Sequence, residues 1–203
     1  MLRLKKVAVT GGISSGKSLI CQYFSEFGAY VIDADKIVHQ LLNPDTEIGQ
    51  KVVALLGERI LDKQTISRSR VAKLVFLNPR LLKSLENLLH PLVYEEINRI
   101  YKKVAHEKNP PPLFVAEVPL LFESGGEAYF DQTIAVVSIQ EKCWERYRAS
   151  TGNEREDFNR RTACQLPQHV KAEKADIVIH NEGSIESLKK QTKTIYESLR
   201  QCT

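Results

Sequence analysis

No apolar run in the chain exceeds about five residues, whereas a membrane-spanning helix needs about 20. A spanning helix is therefore excluded, and no membrane partner is expected. The segment from Met1 to Val7 lacks the apolar stretch and small-residue cleavage site of a secretory signal, so a cytoplasmic setting is expected. Cysteine is scarce: Cys21, Cys143, Cys164 and Cys202 are scattered, with no C-x-x-C and no histidine at zinc-ligand spacing. In a reducing compartment such thiols pack as small hydrophobes. Eight prolines and ten glycines leave no room for a low-complexity or collagen-like chain. Aromatics are few (7 %), and nothing marks a base-stacking platform, with Trp144 read as core or pocket wall. Twenty-nine basic against 25 acidic residues give +4. That excess is too slight to mark a nucleic-acid binder and suits a small anionic substrate equally well. Oligomeric state is not legible here; a monomer is favoured.

What is present has the size of one domain with room for an insertion. Val7-Ala8-Val9 ends at Thr10-Gly11-Gly12, a buried strand followed by a turn. From Lys17 the spacing is helical, with Ile20, Tyr23, Phe24 and Phe27 on one face and Gly28 as the stop. Residues 29–32 read as a second strand, with Asp33 and Asp35 just past its end, and a helix follows over 34–42. From 45 to 108 the pattern is nearly all helical, with Pro91 expected to kink or break the longest stretch. We read this part as a helical insertion. Asn109 and Pro110 to Pro112 form a stiff connector.

Strands are then predicted over 113–116, 133–137 and 176–179. A helix is expected over 141–149, a charged segment over 153–161, and a last helix capped by Ser184. Alternating strands and helices predict a five-stranded parallel sheet in an α/β/α sandwich. The expected organisation is a nucleotide-binding core of residues 1–44 and 109–203, with a lid near 150–170 and a helical insertion of 45–108.

Gly11-Gly12-Ile13-Ser14-Ser15-Gly16-Lys17-Ser18 fits G-x-x-x-x-G-K-[ST], between a buried strand and an amphipathic helix. Its glycines let backbone amides wrap phosphates, and the helix N-terminus adds a positive dipole. Lys17 reaches the β- and γ-phosphates, and the Ser18 hydroxyl ligates Mg²⁺. Gly12, Ile13, Ser14, Ser15, Gly16, Lys17, Ser18 and Leu19 are thus the candidate nucleotide-binding residues, with ATP as the nucleotide. D-x-x-G and N-K-x-D are absent, which counts against a guanine-nucleotide switch.

Asp33 lies at a strand's carboxyl end, where open parallel sheets bind ligands. There it accepts a proton from an attacking hydroxyl, holds Mg²⁺ or its water, or caps the next helix. Asp35 has the same choice, with capping ahead. Glu117 ends the third strand, as a metal-side acid or as a solvated strand end. Arg146, Arg148, Arg155, Arg160 and Arg161 crowd the region after the fourth strand, interleaved with glutamates. Arginine suits multidentate phosphate contact, so at least one is expected to reach the phosphates while the others form a wet face.

With these pieces located, the chain resembles the dephospho-CoA kinase family over nearly its full length. The matching stretches are Val9 to Ile13 with Ser15-Gly16-Lys17-Ser18, and Val31-Ile32-Asp33-Ala34-Asp35. Further along come Leu89-His90-Pro91-Leu92-Val93 and Val118-Pro119-Leu120-Leu121-Phe122-Glu123. The last are Gln165-Leu166-Pro167, Lys171, Ala175-Asp176 and Asn181-Glu182-Gly183-Ser184. The resemblance implies transfer of the ATP γ-phosphate to the 3′-hydroxyl of dephospho-CoA, the last step of coenzyme A synthesis. It also implies a nucleotide core, a helical CoA-side domain and a lid. Lys17 and Ser18 carry over as phosphate and Mg²⁺ ligands, Asp33 as the base and a metal-side residue, and Arg146 as the charge-neutralising arginine. Asn181 and Gly183 are placed near the adenine. His90 carries no assigned role, with packing ahead.

Two departures stand out. Ser14 replaces a usual glycine, which is tolerable only if its backbone is not left-handed. Cys143 and Ser150 replace a glutamine and an arginine of the family's lid-side pattern. Three other readings are weighed: a nucleoside or nucleotide kinase, a nucleotide-sensing protein without turnover, and, weakest, a nucleic-acid binder.

Overall fold

The computed structural model describes residues 4–201. Its main sheet joins β1 (Lys5–Gly11), β2 (Tyr30–Asp33), β5 (Leu113–Glu117), β6 (Gln132–Val137) and β7 (Ile177–His180) in the order β2-β5-β1-β6-β7. Every pairing is parallel, as the alternating pattern requires. Central β1 is covered on both faces, and Val7, Ala8 and Val9 are wholly buried. That is why it reads as a continuous apolar run and not as an alternation. The registers pair Val9 with Glu117, Asp33 with Glu117, and Gly11 with Val136. Those pairings gather the carboxyl ends of four strands along one edge.

Helices α1 (Lys17–Glu26) and α9 (Ile185–Gln201) bury Ile20, Phe24, Leu188, Tyr196 and Leu199 against Val7, Val9, Val115 and Val136. Ser184 caps α9 as expected, its Oγ accepting from Ser187 N at 3.2 Å. On the other face, Tyr101 stands edge-on to Phe114 at 5.4 Å between ring centres. Helix α8 (Gln168–Lys174) also packs against β6 and β1. The segment expected only to be charged contains a helix, α7 (Arg155–Ala163), which pairs with α6 (Gln140–Thr151). Cys143, Tyr147 and Phe158 form their shared core with Trp144 against it.

The described residues divide into two compact units, one running to Asp33 and resuming at Ile97, the other Ala34–Glu96. The second holds α2 (Ala34–Leu41), α3 (Glu47–Leu56), α4 (Arg68–Phe76) and most of α5 (Pro79–Ala105). Its own core includes Val52, Leu56, Ile60, Val71, Leu85 and Leu89. Thr46 caps α3, accepting from Gly49 N at 3.0 Å. Two details sharpen the sequence reading. A small antiparallel hairpin, β3 (Leu61–Asp62) and β4 (Thr65–Ile66), interrupts the helices. Its turn residues Lys63 and Gln64 both have positive φ, a conformation the pattern signals only through glycine or asparagine. Pro91 does not break α5, which runs through it. Proline deletes one helix donor, and Pro91 lies exposed between the buried Leu89 and Val93, whose packing holds the helix together.

Candidate active site

The phosphate loop spans the end of β1 and the start of α1. Gly11 (φ 150°) has no room for a side chain, since a Cβ would run into the Val136 carbonyl of the neighbouring strand. Gly16 (φ 107°) caps α1, and there a Cβ would overlap the Asn181 side-chain amide. Ser14 adopts φ 52°, so the condition set for it by sequence fails. The serine is left-handed, and the loop carries a local cost of about 1–2 kcal/mol. Its short polar side chain keeps that cost at the low end.

Lys17 is buried and folds back over its own loop, donating from Nζ to Gly12 O at 2.8 Å and Gly11 O at 3.3 Å. Ser15 Oγ is buried in the loop without a hydrogen-bond partner, an orphan that suits a loop built round a polar ligand. Ile13 and Leu19 are half-buried on either side. The Ser18 hydroxyl is exposed and donates to Glu117 Oε1 at 2.9 Å. Asp33 is the register neighbour of Glu117 on the adjacent strand. The structure thus brings Ser18, Glu117 and Asp33 to one strand edge, an all-oxygen donor set of the kind a hard divalent cation takes beside substrate phosphates. Behind them sits Cys21, its thiol pushed well up by burial, with the Glu117 carboxylate adding to the effect. It stays protonated and unreactive. Asp35 is exposed in the first turn of α2.

Arg146 is the one of the five arginines whose guanidinium meets the loop among the described residues. It donates to Ser138 Oγ and Asn181 O, each at 3.2 Å, and to Ser14 O at 3.4 Å. Three of the others are engaged elsewhere. Arg155 forms a two-pronged pair with Glu141, both bonds 2.7 Å, while Arg160 and Arg161 pair with Asp157. The Tyr147 hydroxyl, helped by those two guanidinium groups, holds the Asp157 carboxyl down at about 2. Arg148 is exposed.

Asn181 is buried beneath the loop. Its amide donates to Ser15 O at 2.8 Å, and its own carbonyl accepts from Ser138 Oγ at 2.7 Å. Gly183 lies exposed just before α9. Sequence reasoning missed Gln168, whose amide grips Ser138 by accepting from its N (2.9 Å) and donating to its O (3.1 Å). The same side chain occupies the space beside Gly12. A lone glutamine carries no pattern, so nothing local marked it. Next to it a cavity of about 690 Å³ opens between Gly12, Ile13, Phe158, Thr162, Gln165 and Pro167.

A strand-loop-helix phosphate cradle with a carboxylate pair at the neighbouring strand ends is the geometry of a phosphoryl-transfer site. The chain matches the dephospho-CoA kinase family over residues 5–187. It belongs to that family. A dephospho-CoA kinase of Protochlamydia amoebophila (strain UWE25) is 46 % identical over 200 residues, covering 98 % of both chains. A solved Thermus thermophilus structure superposes with a TM-score of 0.81 at 29 % identity, covering 98 % of this chain and 99 % of that one. A dephospho-CoA kinase from Campylobacter jejuni does so at 0.70 and 26 % identity, covering 97 % of each. The similarity spans the residues of the helical unit as well as those of the sheet. Among the described residues no helix is long and apolar enough to cross a membrane.

Proposed function

We propose that the protein transfers the γ-phosphoryl group of ATP to the 3′-hydroxyl of dephospho-CoA, giving CoA and ADP, as the last step of coenzyme A synthesis. The observation that carries this reading is the alignment of the phosphate loop with Asp33 and Glu117 on adjacent strand ends. The backbone from Gly12 to Leu19 cradles the ATP phosphates, and Lys17 swings from its own carbonyls onto the β- and γ-oxygens. Asp33 accepts the proton of the attacking hydroxyl. The acceptor oxygen then bonds to the γ-phosphorus, and the bridging bond to the β-phosphate breaks towards ADP. Ser18, with Asp33 and Glu117, is the set that would hold Mg²⁺, which when bound neutralises phosphate charge. Arg146 neutralises charge on the transferring group from the loop's other side.

Asn181 supports the loop on the nucleotide side, with Gly183 beside the adenine. The helical insertion expected over 45–108 serves the acceptor, and a lid near 150–170 carries Arg155, Arg160 and Arg161. Excluding water there protects ATP from hydrolysis. Its setting is the cytoplasm, where the free thiols of Cys21, Cys143 and Cys164 remain reduced.

The test is ADP release from ATP and Mg²⁺ with dephospho-CoA, adenosine or AMP as acceptor. ADP formed only with dephospho-CoA, with CoA in equal amount, supports the assignment. ADP with adenosine or AMP instead would make the protein a nucleoside or nucleotide kinase. ATP binding with no acceptor-dependent ADP would make it a sensor. Asp33→Asn should leave ATP affinity near that of the wild type and lower kcat by roughly 10²-fold or more; unchanged turnover would remove Asp33 as base.

A further inference from the structure

Lys171 is among the most deeply buried side chains of the protein, with no exposed surface. Its Nζ donates to Pro119 O at 2.7 Å and pairs with Glu123 Oε1 at 2.8 Å. That same Glu123 oxygen accepts from Leu166 N at 2.8 Å. The Pro119 carbonyl is shared too, accepting from Thr10 Oγ1 at 3.1 Å, and Val118 N donates to Val9 O at 2.9 Å. Four groups therefore tie three segments into one knot. They are the end of β1 as it enters the phosphate loop, the turn that begins directly after Glu117, and the stretch that runs from the α7–α8 linker into α8.

Stability alone is a poor reason for such a knot. A fully desolvated ion pair seldom outperforms an apolar pair of the same volume. Burial pulls the Lys171 ammonium below its ordinary value despite the carboxylate beside it. Glu123 Oε2 is buried with no hydrogen-bond partner, a further cost. What an apolar pair would not supply is direction. The lysine fixes the Pro119 carbonyl, two residues past Glu117, against the residue that precedes Gly11. From the same helix, Gln168 holds Ser138 and flanks Gly12. Helix α8 thus flanks the phosphate loop with Gln168 and holds the turn after Glu117 with Lys171.

We infer that Lys171 and Glu123 are positioning residues that set Glu117 against the phosphate loop, and that they govern the rate of phosphoryl transfer more than the stability of the fold. This rests on the reading of the Ser18, Glu117 and Asp33 edge as the metal side of a kinase site. Both act through the Pro119 turn.

The experiment compares wild type with Lys171→Met, Glu123→Gln and the double variant. Thermal unfolding, kcat, KM for ATP and the Mg²⁺ concentration at half-maximal rate are read for each. Lys171→Met alone leaves a buried carboxylate unpaired and is expected to lower Tm. In the double variant the glutamine oxygen still accepts from Leu166 N and no charge is stranded, so Tm should return to within a few degrees of wild type. Its kcat should remain roughly 10- to 100-fold low, as for other supporting partners of a metal site. KM for ATP should stay within about threefold, and the Mg²⁺ requirement should rise, because the loop is intact while Glu117 is misplaced.

A double variant with recovered Tm, wild-type kcat and an unchanged Mg²⁺ requirement would reduce the pair to a structural element and overturn the inference. Should the double variant not fold, Glu123→Gln decides. A lowered kcat with a raised Mg²⁺ requirement at near-native Tm supports the inference, and wild-type values overturn it. Wild-type turnover with dephospho-CoA, measured in the same series, separates failure of this inference from failure of the kinase reading.

Discussion

Gly16 and Asn181 fill one space between them, and that makes a prediction with a number attached. Gly16→Ala should cost the loop twice. Its φ of 107° strains an L residue by about 1–2 kcal/mol. The new methyl must also displace the buried Asn181 amide, adding about 1–3 kcal/mol of overpacking. Asn181→Ala removes the 2.8 Å bond to Ser15 O and leaves a buried acceptor short, costing about 1–2 kcal/mol. If the two sites were independent, the double variant would lose the sum. The amide whose removal costs a bond in one variant is the obstacle in the other, so the double variant should be about 1–3 kcal/mol better than additive. The assay is urea unfolding followed by fluorescence of Trp144, the only tryptophan, which packs on Phe158 in the same unit. Additivity within about 0.5 kcal/mol would mean that Asn181 does not occupy the space beside Gly16, and that its place is not beneath the loop.

Three other outcomes are expected. Ser14→Gly relieves the left-handed serine against the greater chain entropy of glycine, a net gain of about 0.5–1 kcal/mol seen as a Tm rise of roughly 1–4 °C; a fall in Tm would refute the strain. Asp157 has a folded pKa of about 2, below its ordinary 3.8, so its contribution to stability is complete above about pH 4 and is lost as pH falls through about 2. An Asp157→Asn variant should therefore show a shallower acid limb in a Tm-against-pH series, and an unchanged limb would count against the Tyr147–Asp157 contact. Glu117→Gln keeps an acceptor for Ser18 but removes the charge; kcat should fall roughly 10- to 100-fold with a raised Mg²⁺ requirement, and an unmoved Mg²⁺ titration would exclude it from the metal side.

The phosphate loop was legible because its chemistry is local. Eight consecutive residues must carry the glycines, the lysine and the hydroxyl together, and hydrophobic periodicity placed a strand before them and a helix after. The same periodicity placed all five strands of the main sheet to within two residues at each end, since buried parallel strands are short apolar runs bounded by turn residues. It failed at Lys63-Gln64, where a turn is made without turn residues. At Pro91, expected to kink or break the helix, the helix is continuous, because packing on both sides outweighs one missing donor.

Tertiary structure decided what distance in sequence conceals. Parallel pairing sets Glu117 beside Asp33 and within hydrogen-bonding reach of Ser18, 99 residues away, a juxtaposition that no local pattern announces. Five arginines looked alike by composition, yet Arg146 meets the loop while Arg155 is held by Glu141 of the neighbouring helix and Arg160 and Arg161 by Asp157 of their own. Asn181, Gln168 and the Lys171–Glu123 pair hydrogen-bond to backbone atoms far along the chain. Such bonds leave no periodicity and no spacing. Local backbone chemistry is written in neighbouring residues, whereas the position of a side chain against a distant carbonyl exists only once the sheet has closed.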